Sequence, residues 1–432
     1  VADALKDPSL AFERYLTARL GEANATLAKT LARGGGAAAT PTSGTLAASA
    51  SASSASLLSP AEAAQAATSL PPNLRVLVPA MSSGAERAHR QAVFRTNLRR
   101  AALLNSQALR KVQAAGGSAA DAPVYGVTDF SHLTPQEFRT LYLSKAFGQL
   151  KDRVDDSDAD AGVDAADASS STNARRRLAQ SNPSFQCKKK IKTFPFSKVV
   201  PPTSFDWRSV NGTSYVAPIR NQKSCGSCAS FSTVVTLEAV SVGRALARQA
   251  RGVSNAGTSI SDGTDLAEQD FLNCWDARTD ECEGAMPSWY YDRATCKGVA
   301  SETDVPYKAR DANVCDAVAR DTLGLKGWFQ PPATDKGLKQ AITKAPVTIA
   351  IWAEDTFSMY RGGVLPCGTP DGSKQVNHAV AAIGWDASAF IIKNSWGTSW
   401  GDQGFVRLAS GCAKGKSTLN MHTPGYNVGV NF

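Results

Sequence analysis

The feature that most constrains this chain is a thiol that opens a helix-forming stretch and whose chemical partners lie far away in sequence. In Asn221-Gln222-Lys223-Ser224-Cys225-Gly226-Ser227-Cys228-Ala229-Ser230-Phe231, Cys228 precedes Phe231, Val235, Ala239, Val242 and Leu246. Those apolar residues recur at three- and four-residue steps, the stripe of a helix with one buried face. The sequence Asn377-His378-Ala379 puts a histidine 150 residues after the thiol, and Lys393-Asn394-Ser395-Trp396-Gly397 puts an asparagine 166 after it. For the three to act together, the start of a helix must pack against a separate part of the chain.

A thiol attacks a carbonyl only as thiolate, and a free cysteine with a pKa of about 8.5 is mostly protonated at neutral pH. Placement in the first turn of a helix, where backbone N–H groups point outward, favours the anion. A nearby imidazolium does the same, and can later protonate a leaving amine. Other readings of Cys225-Gly226-Ser227-Cys228 are a disulfide, a zinc site or a redox motif. Zinc lacks a second close Cys/His pair, and no strand of a short α/β unit precedes Cys225 as thioredoxin-type chemistry requires. With His378 and Asn394 in matching contexts, the arrangement resembles the papain family of cysteine peptidases (cathepsin-like).

That resemblance implies roles residue by residue. Cys228 is the nucleophile and His378 its acid–base partner. Asn394 accepts a hydrogen bond from the other ring nitrogen, and Gln222 donates to the oxyanion beside the Cys228 N–H. Gly284, Ala285 (through its backbone) and Trp396 would bind substrate, while Met286, Pro287, Ala379 and Val347 would line the pocket for the substrate residue second before the scissile bond. Their apolar character implies Leu, Phe or Val there. Trp396 and Trp400 would shelter the His378–Asn394 hydrogen bond. Disulfides are implied at Cys225–Cys282, Cys274–Cys315 and Cys367–Cys412, leaving Cys187 and Cys296 as a possible fourth pair. The paired-histidine insert of dipeptide-removing relatives is missing, so the implied activity is that of an endopeptidase. No metal or cofactor is implied. Three positions around the site depart from the family pattern: Ala229 replaces a large ring after the nucleophile, opening space beneath the helix start, Lys223 replaces a common glycine, and Ala285 replaces another. A catalytically silent homologue and a peptide ligase are the competing readings; the first would need a missing catalytic group, and none is missing.

Charge divides the chain. Residues 201–432 hold 22 basic and 22 acidic side chains, so the net +9 resides in residues 1–200. No basic stripe with interleaved aromatics supports nucleic-acid binding, so the excess is read as a dissociable prosegment. Glu86, Arg90, Phe94, Asn97, Ala101 and Asn105 fall at the spacing of the ERFNIN motif of papain-family inhibitory prosegments, with Ala101 where Ile is usual. Tyr125 to Phe138, with Gly126 and Phe130, resembles the stretch that follows it, but carries Thr128 and His132 in place of Asn and Asp. Thr134 and Glu137 form a capping-box pattern. The Ala/Ser/Thr/Gly-rich stretch 34–72 reads as an insert unable to bury a core, and 151–200 as an activation linker with a processing site at Arg175-Arg176-Arg177.

The expected organisation is therefore 1–150 prosegment, 151–200 linker and 201–432 peptidase domain. The fold implied is α+β: a papain-like two-lobed unit, a helical half and a strand-rich half, behind a mainly helical propeptide. Short apolar runs bounded by Gly, Pro and Asn mark strands after residue 346. Nine cysteines, the sequons at Asn24 and Asn211, and a Val1 start read as following a removed leader favour the secretory pathway, with an extracellular or lysosomal/vacuolar destination. The partners expected are peptide or protein substrates and the chain's own prosegment, acting on a monomer with no membrane span.

Overall fold

A computed structural model describes residues 1–19, 84–144, 196–249, 265–274, 281–310, 314–370 and 375–432. The 34–72 stretch, Asn24, the Arg175–Arg177 run and Cys187 lie outside these residues, as does nearly all of the linker.

The N-terminal part is helical. A short helix α1 (Ala2–Lys6) leads into α2 (residues 8–19), whose start is capped by Asp7 accepting from the Leu10 N–H at 2.9 Å. Phe12 and Leu16 of α2 are buried against α3 (Gly84–Ala114), with the Phe12 and Phe94 rings edge-to-face at 5.6 Å. The stripe of α3 is Arg90, Phe94, Leu98 and Ala101, one turn apart and all buried. Its polar members stitch the helix to the loop that follows. Asn105 accepts from the Tyr125 N–H at 2.7 Å and donates to the Tyr125 carbonyl at 2.9 Å. Asn97 donates to the carbonyls of Ser131 and Leu133 at 3.0 Å. Arg90 is clasped between Glu86 at 3.0 Å and Glu137 at 2.8 Å. Thr134 and Glu137 close a full capping box at the start of α4 (Pro135–Tyr142).

The second part holds two halves. The helical half is α5 (Cys228–Gln249), α6 (Glu268–Asn273) and α7 (Pro287–Lys297). The other half centres on a six-stranded sheet. Beyond β1 (Val124–Tyr125), the strands are β2 (Phe205–Asp206), β3 (Gly327–Phe329), β4 (Val347–Ile351), β5 (Tyr360–Gly362), β6 (Val364–Leu365), β7 (Thr369–Pro370), β8 (His378–Trp385), β9 (Ala389–Lys393), β10 (Phe405–Ala409), β11 (Lys416–Ser417) and β12 (Gly429–Asn431). The sheet runs β2-β8-β9-β10-β6, with β4 also on β8, and only β10–β6 is parallel. A helix α8 (Asp335–Ile342) packs beside β4 and β8. The α+β expectation holds, with one refinement: β2, from the very start of this part, crosses over to pair with β8.

Disulfides join Cys225 to Cys282, Cys274 to Cys315 and Cys367 to Cys412. Cys296 is also disulfide-bonded. Ahead of residue 201, the Phe196 and Val199 carbonyls accept from Gln340 Nε2 at 2.7 and 2.9 Å, fastening this stretch to α8.

The two largest apolar cores among the described residues position the site. One lies between α5, α7 and the β4–β8 edge, and includes Cys228, Ala285, Met286, Ala350 and Ala379. The other combines Phe130, Phe138, Tyr142 and Leu143 of the N-terminal part with Phe357, Tyr360, Trp396 and Trp400 of the sheet half. The N-terminal part thus shares a core with the sheet half. It also adds β1 to β5 as an antiparallel strand, and the Gly126 N–H donates to the Met359 carbonyl at 2.8 Å.

Burial alone would raise the Glu137 carboxyl, but hydrogen bonds from Arg90 and the Thr134 N–H hold it down to about 2. A carboxyl lowered on folding contributes stability above its free value of 4.5 and loses it as the pH falls from there towards 2. The clasp therefore survives mild acid. Glu137→Gln is expected to lower the thermal midpoint at pH 7 by a few degrees and to flatten its pH dependence below 4.5. Melts followed by circular dichroism test this; an unchanged pH dependence would count against the clasp.

Candidate active site

Cys228 is the first residue of α5, fully buried and the one free cysteine among the described residues. The turn before it is fixed by the Cys225–Cys282 bridge and by the Gly226 N–H donating to the Cys282 carbonyl at 2.6 Å. A Cβ on Gly226 would lie 2.3 Å from that carbonyl oxygen, so only glycine permits the approach. His378 opens β8 and Asn394 follows β9; pairing of the two strands brings them together, with His378 Nε2 and Asn394 Oδ1 2.8 Å apart. An amide oxygen only accepts, so Nε2 carries the proton and Nδ1 is left with its lone pair. Nδ1 has no hydrogen-bond partner among the described residues. The backbone N–H groups of Ala379, Ala229 and Cys228 favour the thiolate form, and the Cys228 thiol itself donates to the Gly226 carbonyl at 3.9 Å. Helix start and strand start thus meet at the sulfur.

Trp396 stacks on His378 with ring centroids 4.6 Å apart, and Trp400 abuts Trp396 at 5.1 Å. Trp396 is fully buried and takes the edges of Phe130 and Phe138 at 5.4 and 5.3 Å. Here it shields the histidine and receives the prosegment.

The N-terminal part, at Tyr142 and Ser144, passes through the cleft between the halves. Gln222 Nε2 donates to the Tyr142 carbonyl at 3.2 Å and to the Cys225 carbonyl at 2.9 Å. The Ser144 N–H donates to the Asn377 carbonyl at 3.0 Å, and its hydroxyl to the Glu283 carbonyl at 3.1 Å. Gly284, at φ +114°, lies beneath Ser144: a Cβ there would sit 1.9 Å from the serine oxygen. Ala285, Met286, Pro287 and Ala379 are buried. Val347 does not join them. Side chains alternate along β4, so Val347 faces the other core and Ala350, opposite Ala379, shares the cluster with Ala285 and Met286. Ala229, expected to leave space, is 1% exposed and enclosed in that same core.

Exclusion of water sets the protonation states. Burial pushes the Cys228 thiol up to about 12, against the three N–H groups that favour its anion. Burial pushes His378 down to about 4, against the pull of Asn394. Both groups are therefore neutral at near-neutral pH in this form. Behind Asn394, burial also lowers Lys393 and raises Glu238 and Glu268, a charged cluster that includes Arg220 and borders a small cavity.

Sequence reasoning missed Ser395, whose hydroxyl donates to Gln222 Oε1 at 2.6 Å and so turns Nε2 towards the cleft. It sits beside Asn394 in sequence, but its partner is 173 residues away, and no spacing rule signals such a contact.

A thiol at about 12 is, at pH 7, roughly a thousandfold poorer in thiolate than a free cysteine. Iodoacetamide is therefore expected to label Cys228 at least about a hundredfold more slowly in the full-length chain than after prosegment removal. Equal rates, read by peptide mass spectrometry, would contradict the covered site.

The profile described as papain family cysteine protease matches residues 201–423, more than half of the chain. Mexicain of Jacaratia mexicana is 32% identical over 235 residues, which cover 52% of this chain and 96% of mexicain. Papain of Carica papaya is 31% identical over 231 residues, covering 52% and 60%. Among solved structures, the stem bromelain precursor aligns with a TM-score of 0.54 at 23% identity, over 81% of this chain and 93% of that one. Digestive procathepsin L 3 of Tenebrio molitor does so with 0.54 at 21%, over 83% and 98%. At those identities the likeness speaks for the fold, and it extends across the N-terminal part. With the family profile covering the region that carries Cys228, His378 and Asn394, the chain belongs to the papain family of cysteine proteases.

Proposed function

We propose that this chain is the autoinhibited zymogen of a cysteine endopeptidase, with Cys228, His378, Asn394 and Gln222 as its catalytic groups. The observation that carries the reading is the Tyr142 carbonyl accepting from Gln222 Nε2 at 3.2 Å. A prosegment carbonyl occupies the place where a substrate oxyanion would be held, and the same segment keeps the thiol and imidazole dry.

Departure of the prosegment admits water and removes the penalty on charge. The Cys228 proton then moves to His378 Nδ1, giving thiolate and imidazolium, while Asn394 holds Nε2–H and fixes the ring. The thiolate adds to the scissile carbonyl, and its oxygen takes hydrogen bonds from Gln222 Nε2 and the Cys228 N–H. As the C–N bond breaks, Nδ1–H protonates the leaving amine, leaving a thioester on Cys228. Water, deprotonated by Nδ1, then attacks the thioester, releasing the acid and the free enzyme. Trp396 over His378 keeps bulk water from competing for the Nε2–H bond.

Met286 and Ala379 line the same apolar cluster as Ala350, which supports a preference for Leu, Phe or Val at the second residue before the cleaved bond. Three disulfides and an exposed sequon at Asn211 support passage through an oxidising compartment, towards the exterior or a lysosome or vacuole. Among the described residues, no helix is long and apolar enough to cross a membrane.

The full-length chain should be inactive on peptide substrates, and deletion of residues 1–177 should release activity that Cys228→Ala abolishes. Activity of the same size before and after the deletion would refute autoinhibition. No activity in either form, with Cys228 unlabelled, would refute the peptidase reading.

A further inference from the structure

Tyr307 lies in an irregular stretch of the helical half, and neither charge relay nor prosegment contact involves it. Its hydroxyl is 2.7 Å from the Gln222 carbonyl oxygen and 2.6 Å from Ser227 Oγ. A carbonyl can only accept, so the phenol proton goes to Gln222, and Ser227 must give its own proton to the phenol oxygen. The result is a directed chain from Ser227 through Tyr307 to Gln222. The ring is held edge-on against Phe231 with centroids 4.8 Å apart, one turn into α5. The backbone N–H of Tyr307 is pinned by Glu302 at 2.9 Å.

The two residues that the phenol joins carry the two oxyanion donors. Gln222 offers its Nε2, and the peptide between Ser227 and Cys228 offers the Cys228 N–H. These donors belong to different turns of the chain, six residues apart. Gln222 has a second tether, through Ser395, to the sheet half. Within the helical half, Tyr307 links the Gln222 backbone directly to the side chain just before the nucleophile. We propose that Tyr307 is a positioning residue that sets the separation of the two oxyanion donors. The inference rests on the oxyanion role assigned above to Gln222. Burial keeps the phenol well above its ordinary value of 10, so it remains a donor throughout the working range.

The test compares turnover of a peptide amide by processed enzyme, prepared from full-length chain and normalised by active-site alkylation. Tyr307→Phe keeps the ring and removes both hydrogen bonds. It is expected to lower kcat about tenfold with KM within about twofold, since a misplaced donor acts in the transition state. In a Gln222→Ala background the same substitution should cost less than about twofold, because the group it positions is gone. Tyr291→Phe is the control: it too removes buried hydrogen bonds, to Thr236 and Thr348 at 2.9 and 2.8 Å on the far side of α5, and should leave kcat unchanged. If Tyr307→Phe yields too little protein, Ser227→Ala removes one arm and should lower kcat about threefold. Unchanged kcat in Tyr307→Phe, or a full tenfold loss persisting in the Gln222→Ala background, would overturn the proposal. A Gln222→Ala enzyme with full kcat would instead overturn the oxyanion reading on which it rests.

Discussion

The side chain of Gln222 joins three parts of this molecule at one point. Its oxygen accepts from Ser395 in the sheet half, and its nitrogen donates to Cys225 in the helical half and to Tyr142 of the prosegment. Its backbone N–H donates to the Ser395 carbonyl, and its carbonyl accepts from Tyr307. An amide buried between two lobes must find partners for every polar atom or lose the free energy of desolvation, of about 1–3 kcal/mol for each unmet group. Satisfying them all fixes the width of the cleft at the point where the sulfur lies. The prosegment carbonyl completes the set, so inhibitor and enzyme are held by the same group that would serve catalysis.

On the proposed autoinhibition, silence and activity differ by the presence of water. No charged group of the prosegment has to oppose Cys228 or His378 directly. A core of Phe130, Phe138, Tyr142 and Trp396 seals the cleft, and within it both neutral forms are favoured. The N–H groups of Ala379, Ala229 and Cys228 favour the anion and become effective once burial is relieved. On the proposed autoinhibition, removing the cover restores charge to Cys228 and His378. The prosegment itself rests on ion pairs and capping that persist in mild acid, since Arg90 holds Glu137 far below an ordinary carboxyl.

Much of this was legible in order along the chain because the signals are local. The Phe231–Leu246 stripe marked α5, the Thr134–Glu137 pair marked the start of α4, and the apolar runs after 346 marked strands, since these depend on neighbours three, four or two positions away. Cys228, His378 and Asn394 could be grouped because each stands in a recognisable short setting. What could not be read was how partners meet across the fold. Val347 was expected in the substrate site, but the face a strand residue presents depends on register with β8, and Ala350 takes that place instead. Ala229, where a gap was expected, is buried within a core drawn from several elements. His132, standing where an acidic residue is usual, is buried within hydrogen-bonding distance of Tyr15, a contact spanning 117 residues.

The sequence by itself marked Cys228 at a helix start, His378 and Asn394 in settings that suit it, and the amphipathic helix of the N-terminal part, because residue type and short-range periodicity specify these. The tertiary structure alone decided the protonation states of Cys228 and His378, the orientation of the Gln222 amide, and the prosegment carbonyl that meets it. Those are properties of burial and of hydrogen bonds between residues from about 80 to more than 170 positions apart, which exist only once the halves and the prosegment are packed together.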